Sequence, residues 1–262
     1  MEIEYDVYDY LELASEASSK KKCKEYLNRA LALEPDNIEV LHELIIVDAK
    51  NAIERLSSLT ELLSQATEQM EAEGNFRDFT GDFWGIHETR PYMRIRFHYI
   101  RTLIECRKIR LAAKECEEML VLCTSDNLGI RFILMCIYAW LEDEKKAQEL
   151  YEHCNDFDMT SLLLPLCMLY YKLGDNENAL LYLKKLEKCN KDTKAFFSSI
   201  CGSGAKLEEA MEESLPFAYI PNTMQEYAMI MQDYDFIMLN TEAFFLWANE
   251  QLKRKKAAPA KK

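Results

Sequence analysis

A small residue recurs every 32 to 35 positions in this chain, and that period constrains the fold more than any other feature. Ala112, Ala147 and Ala179 each sit in a charged, helix-forming stretch that follows an apolar helix and a short turn. The turns are Cys106-Arg107-Lys108, Glu142-Asp143-Glu144 and Leu173-Gly174-Asp175. A fixed period of this length marks stacked helix-turn-helix units, each burying its apolar face only against its neighbours. Seven Gly and six Pro in 262 residues are few. Both residues punctuate strands and turns, so their scarcity argues for helices joined by short connections.

The units can be followed along the chain. Val7–Ala17 reads as a helix leading to Lys20-Lys21-Lys22. Cys23, Leu27, Ala30, Leu31 and Leu33 then fall at helical spacing. Pro35 ends that helix, and Asp36 or Asn37 caps the next. The stretch Ala30-Leu31-Ala32-Leu33-Glu34-Pro35 resembles the end of a tetratricopeptide repeat, where a small residue, a Leu and a Pro close the second helix. Ile38–Lys50 and Ala52–Glu73 read as helices, and Gly74 ends the second. Residues 74–88 form the one long non-helical candidate, a length expected of a functional or self-packed loop. Clearer units span 89–126, 127–159 and 160–191, with Pro165 early in its helix, where a missing amide matters least. Residues 193–213 read as a shorter pair broken at Gly202-Ser203-Gly204, Leu215–Pro221 as extended chain, and Asn222–Ile230 and Asn240–Leu252 as capping helices.

Charge and cysteine usage narrow the partners. The net charge is −13, and six positive charges lie in the last ten residues, which leaves −19 on residues 1–252. So acidic a body repels phosphate backbones, and nucleic acid is not an expected partner. Six positives in the tail suffice for weak association with anionic lipid or nucleic acid, although a solubilising disordered end is the simpler expectation for 253–262. Nine Cys include no C-x-x-C pair and no His at metal-ligand spacing, so no metal and no cofactor is expected. Core packing in a reducing cytoplasm is the default for them. The acidic start Met1-Glu2-Ile3-Glu4-Tyr5-Asp6 is unlike the basic start of a signal peptide. The longest apolar run, Phe132–Leu141, spans ten residues against the roughly 20 that a transmembrane helix needs.

Two stretches carry a family resemblance. Phe83-Trp84-Gly85-Ile86-His87-Glu88-Thr89-Arg90-Pro91-Tyr92-Met93-Arg94 is similar to the FWG-x-x-ETRPYMR signature of the suppressor-of-tumorigenicity-7 family, with its tetratricopeptide-like bacterial members. Asp126-Asn127-Leu128-Gly129-Ile130-Arg131 resembles that family's DN-x-GIR repeat start. The chain departs from the pattern at Cys123-Thr124-Ser125, where a repeat-closing Pro is expected. The resemblance implies a tetratricopeptide-like fold and an interaction role, and it carries over no catalytic residue.

The signature also has a physical reading. Thr89 or Glu88 can cap a helix starting at Arg90-Pro91, while Phe79, Phe83, Trp84 and Ile86 fold beneath it as an aromatic plug. Glu88 would then pair with Arg90 or Arg94. A sharper expectation concerns a groove. Registering each unit by its small residue places Arg94, Phe97 and Arg101 on the inner face of one first helix. Arg131, Met135 and Tyr138 fall on the next, and Leu164, Met168 and Tyr171 on the third. Arg holds carboxylates in a bidentate fork, and Met and Tyr add adaptable apolar contact, so the groove suits an extended peptide or an acidic chain end. The competing expectation pairs these Arg with Glu105, Glu88 or Asp126 inside the stack.

Enzyme chemistry finds little support. His42, His87, His98 and His153 lie on different elements outside any H-E-x-x-H frame, and no G-x-S-x-G occurs. The sequence therefore predicts an all-α, tetratricopeptide-like solenoid, a right-handed superhelix of helix pairs. The repeat array covers 1–218 and the helical cap 219–252. Its expected role is a cytoplasmic adaptor or scaffold that is not an enzyme and binds a protein segment. Self-association through an exposed end or the Phe76–Ile86 loop, for instance as a homodimer, is the alternative, and a hydrolase using the His87 loop a distant third.

Overall fold

The computed structural model describes residues 5–154, 158–213, 220–234, 236 and 241–254. Among them are fifteen α-helices and no extended strand. The chain divides into two compact units, Met1–Ile130 and Arg131–Lys262.

The first unit contains α1 (Val7–Ser15), α2 (Lys20–Leu33), α3 (Ile38–Asp48), α4 (Ala52–Ala72), α5 (Asn75–Phe79), α6 (Arg90–Glu105) and α7 (Ile109–Leu122). Side-chain caps mark several starts. Asp6 and Asp9 form a reciprocal capping box on α1, and Ser19, Asn37 and Asn51 accept first-turn amides of α2, α3 and α4. Successive helices pack against each other: α1 on α2, α2 on α3, α3 on α4. Helix α6 then lies against both α3 and α4, with α7 behind it. Small buried residues allow this close approach: Ala30, Ala66 and Ala112 are each fully buried.

The second unit contains α8 (Ile130–Leu141), α9 (Glu144–His153), α10 (Thr160–Lys172), α11 (Asn176–Cys189), α12 (Thr193–Ile200), α13 (Ala205–Glu213), α14 (Met224–Asp233) and α15 (Glu242–Lys253). Helix α10 is buried along nearly its whole length, Pro165 included, beneath α9, α11, α14 and α15. The terminal helices close an aromatic core. Phe196 stacks on Tyr227 at 3.9 Å between centroids, and Phe197 packs edge-on to Phe244 at 5.9 Å. A buried polar set pins α14: the Glu226 carboxylate accepts from the Thr160 hydroxyl and the Asn222 amide, both at 2.8 Å. The Thr193 and Tyr227 hydroxyls meet at 2.9 Å.

The recurring turn has one geometry. A residue in the left-handed region ends α6 (Arg107, φ 59), α8 (Glu142, φ 58) and α10 (Gly174, φ 76). In each case the next amide reaches back to a carbonyl five residues earlier: Lys108 to Leu103 at 2.8 Å, Asp143 to Tyr138 at 3.0 Å, and Asp175 to Tyr170 at 3.0 Å. This helix-closing pattern favours glycine, which only the third turn supplies.

Residues 74–88, expected to be non-helical, contain one short helix, because α5 occupies 75–79. The segment after it is strapped to the end of α7. The Gly81 and Phe83 amides both donate to the Leu122 carbonyl at 3.0 Å, and the Thr124 amide donates to the Gly81 carbonyl at 2.9 Å. Gly81 holds φ at 104°, a conformation open to glycine. The backbone bonds that a long loop must satisfy thus go to a neighbouring helix end. The extended reading of 215–221 and the disordered reading of the tail fall mainly on 214–219 and 255–262, outside the described residues.

Candidate functional site

Helix α6 carries most of the residues singled out by the sequence. Its packed face buries Tyr92, Met93, Ile95, Arg96, Ile100 and Leu103. Arg94 and Arg101 are exposed on the other side, with Phe97 half-buried between them. The Arg101 guanidinium lies 5.9 Å from the centroid of the Phe97 ring. The Arg94 guanidinium already holds a carboxylate, that of Glu39 on α3. Of the two sequence expectations for Arg94, the ion pair is therefore present, with a partner that was not foreseen.

The signature residues act as a plug. Phe83 is fully buried, stacks on Phe76 at 5.4 Å and meets Tyr92 edge-on at 6.0 Å. The Tyr92 hydroxyl lies 3.2 Å from the Thr67 hydroxyl. Arg90 donates from Nε to the Trp84 carbonyl at 2.8 Å and lies 5.8 Å from the centroid of the Trp84 ring. Pro91 sits in the first turn of α6, as its missing amide allows. Thr89 occupies the cap position but does not cap: its hydroxyl donates to the Phe83 and Ile86 carbonyls. Glu88 is exposed, and Arg90 and Arg94 take the other partners named.

The remaining groove candidates lie in the second unit. Met135, Tyr138 and Met168 are at most 5% exposed, as is Leu164, so their side chains pack the interior instead of lining an open surface. Tyr171 is half-covered by α15, with Phe244 at 5.6 Å and Trp247 at 5.1 Å between centroids. Arg131 lies over its neighbour Phe132 at 4.4 Å. The helical register placed these residues on a common side, but burial of α8 and α10 on nearly every side leaves little of that side open.

A cluster that the sequence did not reveal lies in the seam between α3 and α6. His42 Nε2 and His98 Nδ1 are 2.6 Å apart, and the rings stack at 4.8 Å with 22° between planes. His42 is buried, and its Nδ1 faces a Glu43 carboxylate oxygen at 3.3 Å. The hydrogen bond from His42 holds the Glu43 carboxyl below its ordinary range despite partial burial. Burial, and then the neighbouring His42, push His98 down to about 4. An ionised Glu43 assigns the proton of His42 to Nδ1, so a neutral pair has His98 Nδ1–H donating to His42 Nε2. Two His 56 residues apart form no local motif. The only sequence signal was a His on the apolar side of each of two consecutive first helices.

Glu43 also lines a cleft of about 590 Å³ between α1, α2 and α3, with Leu11, Cys23, Leu27 and Val47 among its walls. Burial and the Glu43 charge push the Cys23 thiol up, so it stays protonated. Deeper in the unit, Arg96 is buried and donates to Glu115 at 2.6 Å and to Glu118. His87 sits exposed in the turn before α6.

Among the described residues no helix is long and apolar enough to cross a membrane, and no three His, Cys, Asp or Glu are placed to hold a metal ion. Comparison with family models, curated proteins and solved structures returned no match to this chain.

Proposed function

We propose that the chain is a tetratricopeptide-like repeat scaffold that binds a carboxylate-bearing segment of a partner protein on the α3/α6 face of its first unit. The observation that carries this reading is the Arg94–Phe97–Arg101 stripe, in which one guanidinium already holds a side-chain carboxylate while the other is exposed over an aromatic ring. A partner's carboxylate has a ready fork at Arg101 and, by displacing Glu39, a second at Arg94. The recurrent left-handed turns support a repeat array, as does the spacing of Ala112, Ala147 and Ala179, all fully buried. The signature shared with the suppressor-of-tumorigenicity-7 family points the same way.

The titratable groups favour binding over catalysis. A general base works best with a pKa near the working pH, whereas His98 sits at about 4 and Cys23 is pushed up. The nine cysteines are free thiols, which suits a reducing cytoplasm. Self-association through the 76–86 segment is less favoured, because Phe76 and Phe83 turn inward to Tyr92.

A peptide array synthesised with free and amidated C-termini tests the reading. Binding to free or side-chain carboxylates that falls at least tenfold in Arg101→Ala supports it. Equal binding to Arg101→Ala and the parent chain sinks it.

A further inference from the structure

The first unit is electrically polarised along its helix axes. The α1–α2, α3–α4 and α6–α7 turns lie on one edge, tied together across the turns. Lys24 at the start of α2 pairs with Asp48 at the end of α3 at 2.5 Å. Arg55 at the start of α4 pairs with Glu105 at the end of α6 and donates to the Thr102 hydroxyl at 3.1 Å. That edge is basic. The first turn exposes Lys20, Lys21 and Lys22, the second Lys50, and the third Arg107, Lys108 and Arg110. None of these seven forms an ion pair among the described residues. The opposite edge is acidic, with Glu34 and Asp36 after α2, Glu71 and Glu73 at the end of α4, and Asp82 and Glu88 before α6.

Large aliphatic side chains stand among the basic groups. Ile53, at the start of α4, is 78% exposed, more than any other large hydrophobic residue described, and Leu111, at the start of α7, is 50% exposed. The corresponding turns of the second unit read Glu142-Asp143-Glu144 and Asp175-Asn176-Glu177, so the basic character is not a by-product of the turn geometry. An overall charge of −13 makes it more pointed, since solubility alone needs no concentration of cations on one edge.

We propose that this edge docks on an anionic lipid bilayer, with the basic turns against the headgroups and Ile53 and Leu111 entering the boundary of the acyl region. Basic residues interspersed with exposed aliphatics are the chemistry of a surface-lying membrane contact. The acidic edge then faces away from the surface, which sets the orientation of the unit. An acidic protein would satisfy the cations but offers no reason for Ile53 to stand bare beside them, more exposed than Leu33 and Val121 at the opposite helix ends. The surface is distinct from the α3/α6 peptide face, so the two readings stand or fall separately.

The test is sedimentation of the full chain with phosphatidylcholine vesicles, with and without about 30% phosphatidylserine, in about 0.1 M salt. Binding is expected to need phosphatidylserine. Each cation near the bilayer contributes about fivefold in partitioning, so Lys21→Glu, Lys22→Glu, Lys108→Glu and Arg110→Glu together should reduce it below detection. The same four positions changed to Gln should lower it by nearly three orders of magnitude without adding repulsion. The exposed control pair Lys145→Glu and Lys184→Glu should sediment like the parent chain, and circular dichroism checks that every variant is folded. Ile53→Ser with Leu111→Ser should weaken binding by about tenfold or more. Absence of phosphatidylserine-dependent sedimentation overturns the proposal. Equal loss in edge and control variants, or indifference to the edge charges, overturns it too. Charge dependence with no effect of the two Ser substitutions overturns the entry of Ile53 and Leu111 and, with it, the preference for a bilayer over an acidic macromolecule.

Discussion

The His42–His98 seam makes the first unit acid-sensitive in a window that can be calculated. In the folded chain burial and His42 hold His98 at about 4, whereas an unfolded His titrates near 6.5. Between these values the unfolded chain binds the proton that the folded chain refuses, so stability falls as pH falls through the window and is intact above it. The linkage relation gives a loss of about 2 kcal/mol between pH 7 and pH 5, rising to about 3 kcal/mol at pH 4. Glu43 adds to the loss at the lower end, since its depressed carboxyl must be protonated against the hydrogen bond from His42. The contrast that isolates His98 is His98→Gln, which keeps an amide donor near His42 but does not titrate. Urea unfolding read through Trp84, in a background of Trp140→Phe and Trp247→Phe, reports on the first unit alone. The parent should lose about 2 kcal/mol more than His98→Gln between pH 7 and pH 5. Parallel pH profiles for the two chains would refute the reasoning, because they would mean that His98 protonates as easily folded as unfolded.

Two further outcomes follow from buried and strained positions. Arg96→Ala strands the Glu115 and Glu118 carboxylates beside a buried gap and should destabilise the first unit by about 3 kcal/mol, whereas Arg96→Met combined with Glu115→Gln, which fills the gap and removes the more buried carboxylate, should cost less; thermal melts decide. Arg107 holds a left-handed conformation with its side chain exposed, so Arg107→Gly should raise stability by roughly 0.5–1 kcal/mol in chemical denaturation, and a loss would mean that the Arg side chain has a structural role.

The helical character of this chain was written in its local pattern. Apolar spacing along α2, α4 and α7, the Asn37 cap and the Gly174 turn are properties of a dozen residues at a time, which is why helix limits read from the sequence fall within a few residues of those observed. The repeat at Ala112, Ala147 and Ala179 was legible for the same reason, because close helix packing demands a small residue at each crossing. The turns at Arg107 and Glu142 were less so. They adopt the glycine conformation without glycine, since the bond from the following amide and the packing of the next helix outweigh the strain.

What tertiary structure alone decided were the identities of partners. Side chains on one helical stripe share a direction, but that direction says nothing about what stands opposite. Arg94 found Glu39, 55 residues away, instead of Glu88 nearby. Met135 and Met168 entered the core, and Tyr171 was covered by α15. His42 and His98, on separate helices, became one stacked pair, and the burial that lowers His98 is something neither segment possesses by itself. The sequence by itself determined where helices form, because hydrogen bonds along a helix and its caps are local. Only the packed structure decided which charges meet and which faces remain open, because desolvation and ion pairing depend on what the rest of the chain brings within a few ångströms.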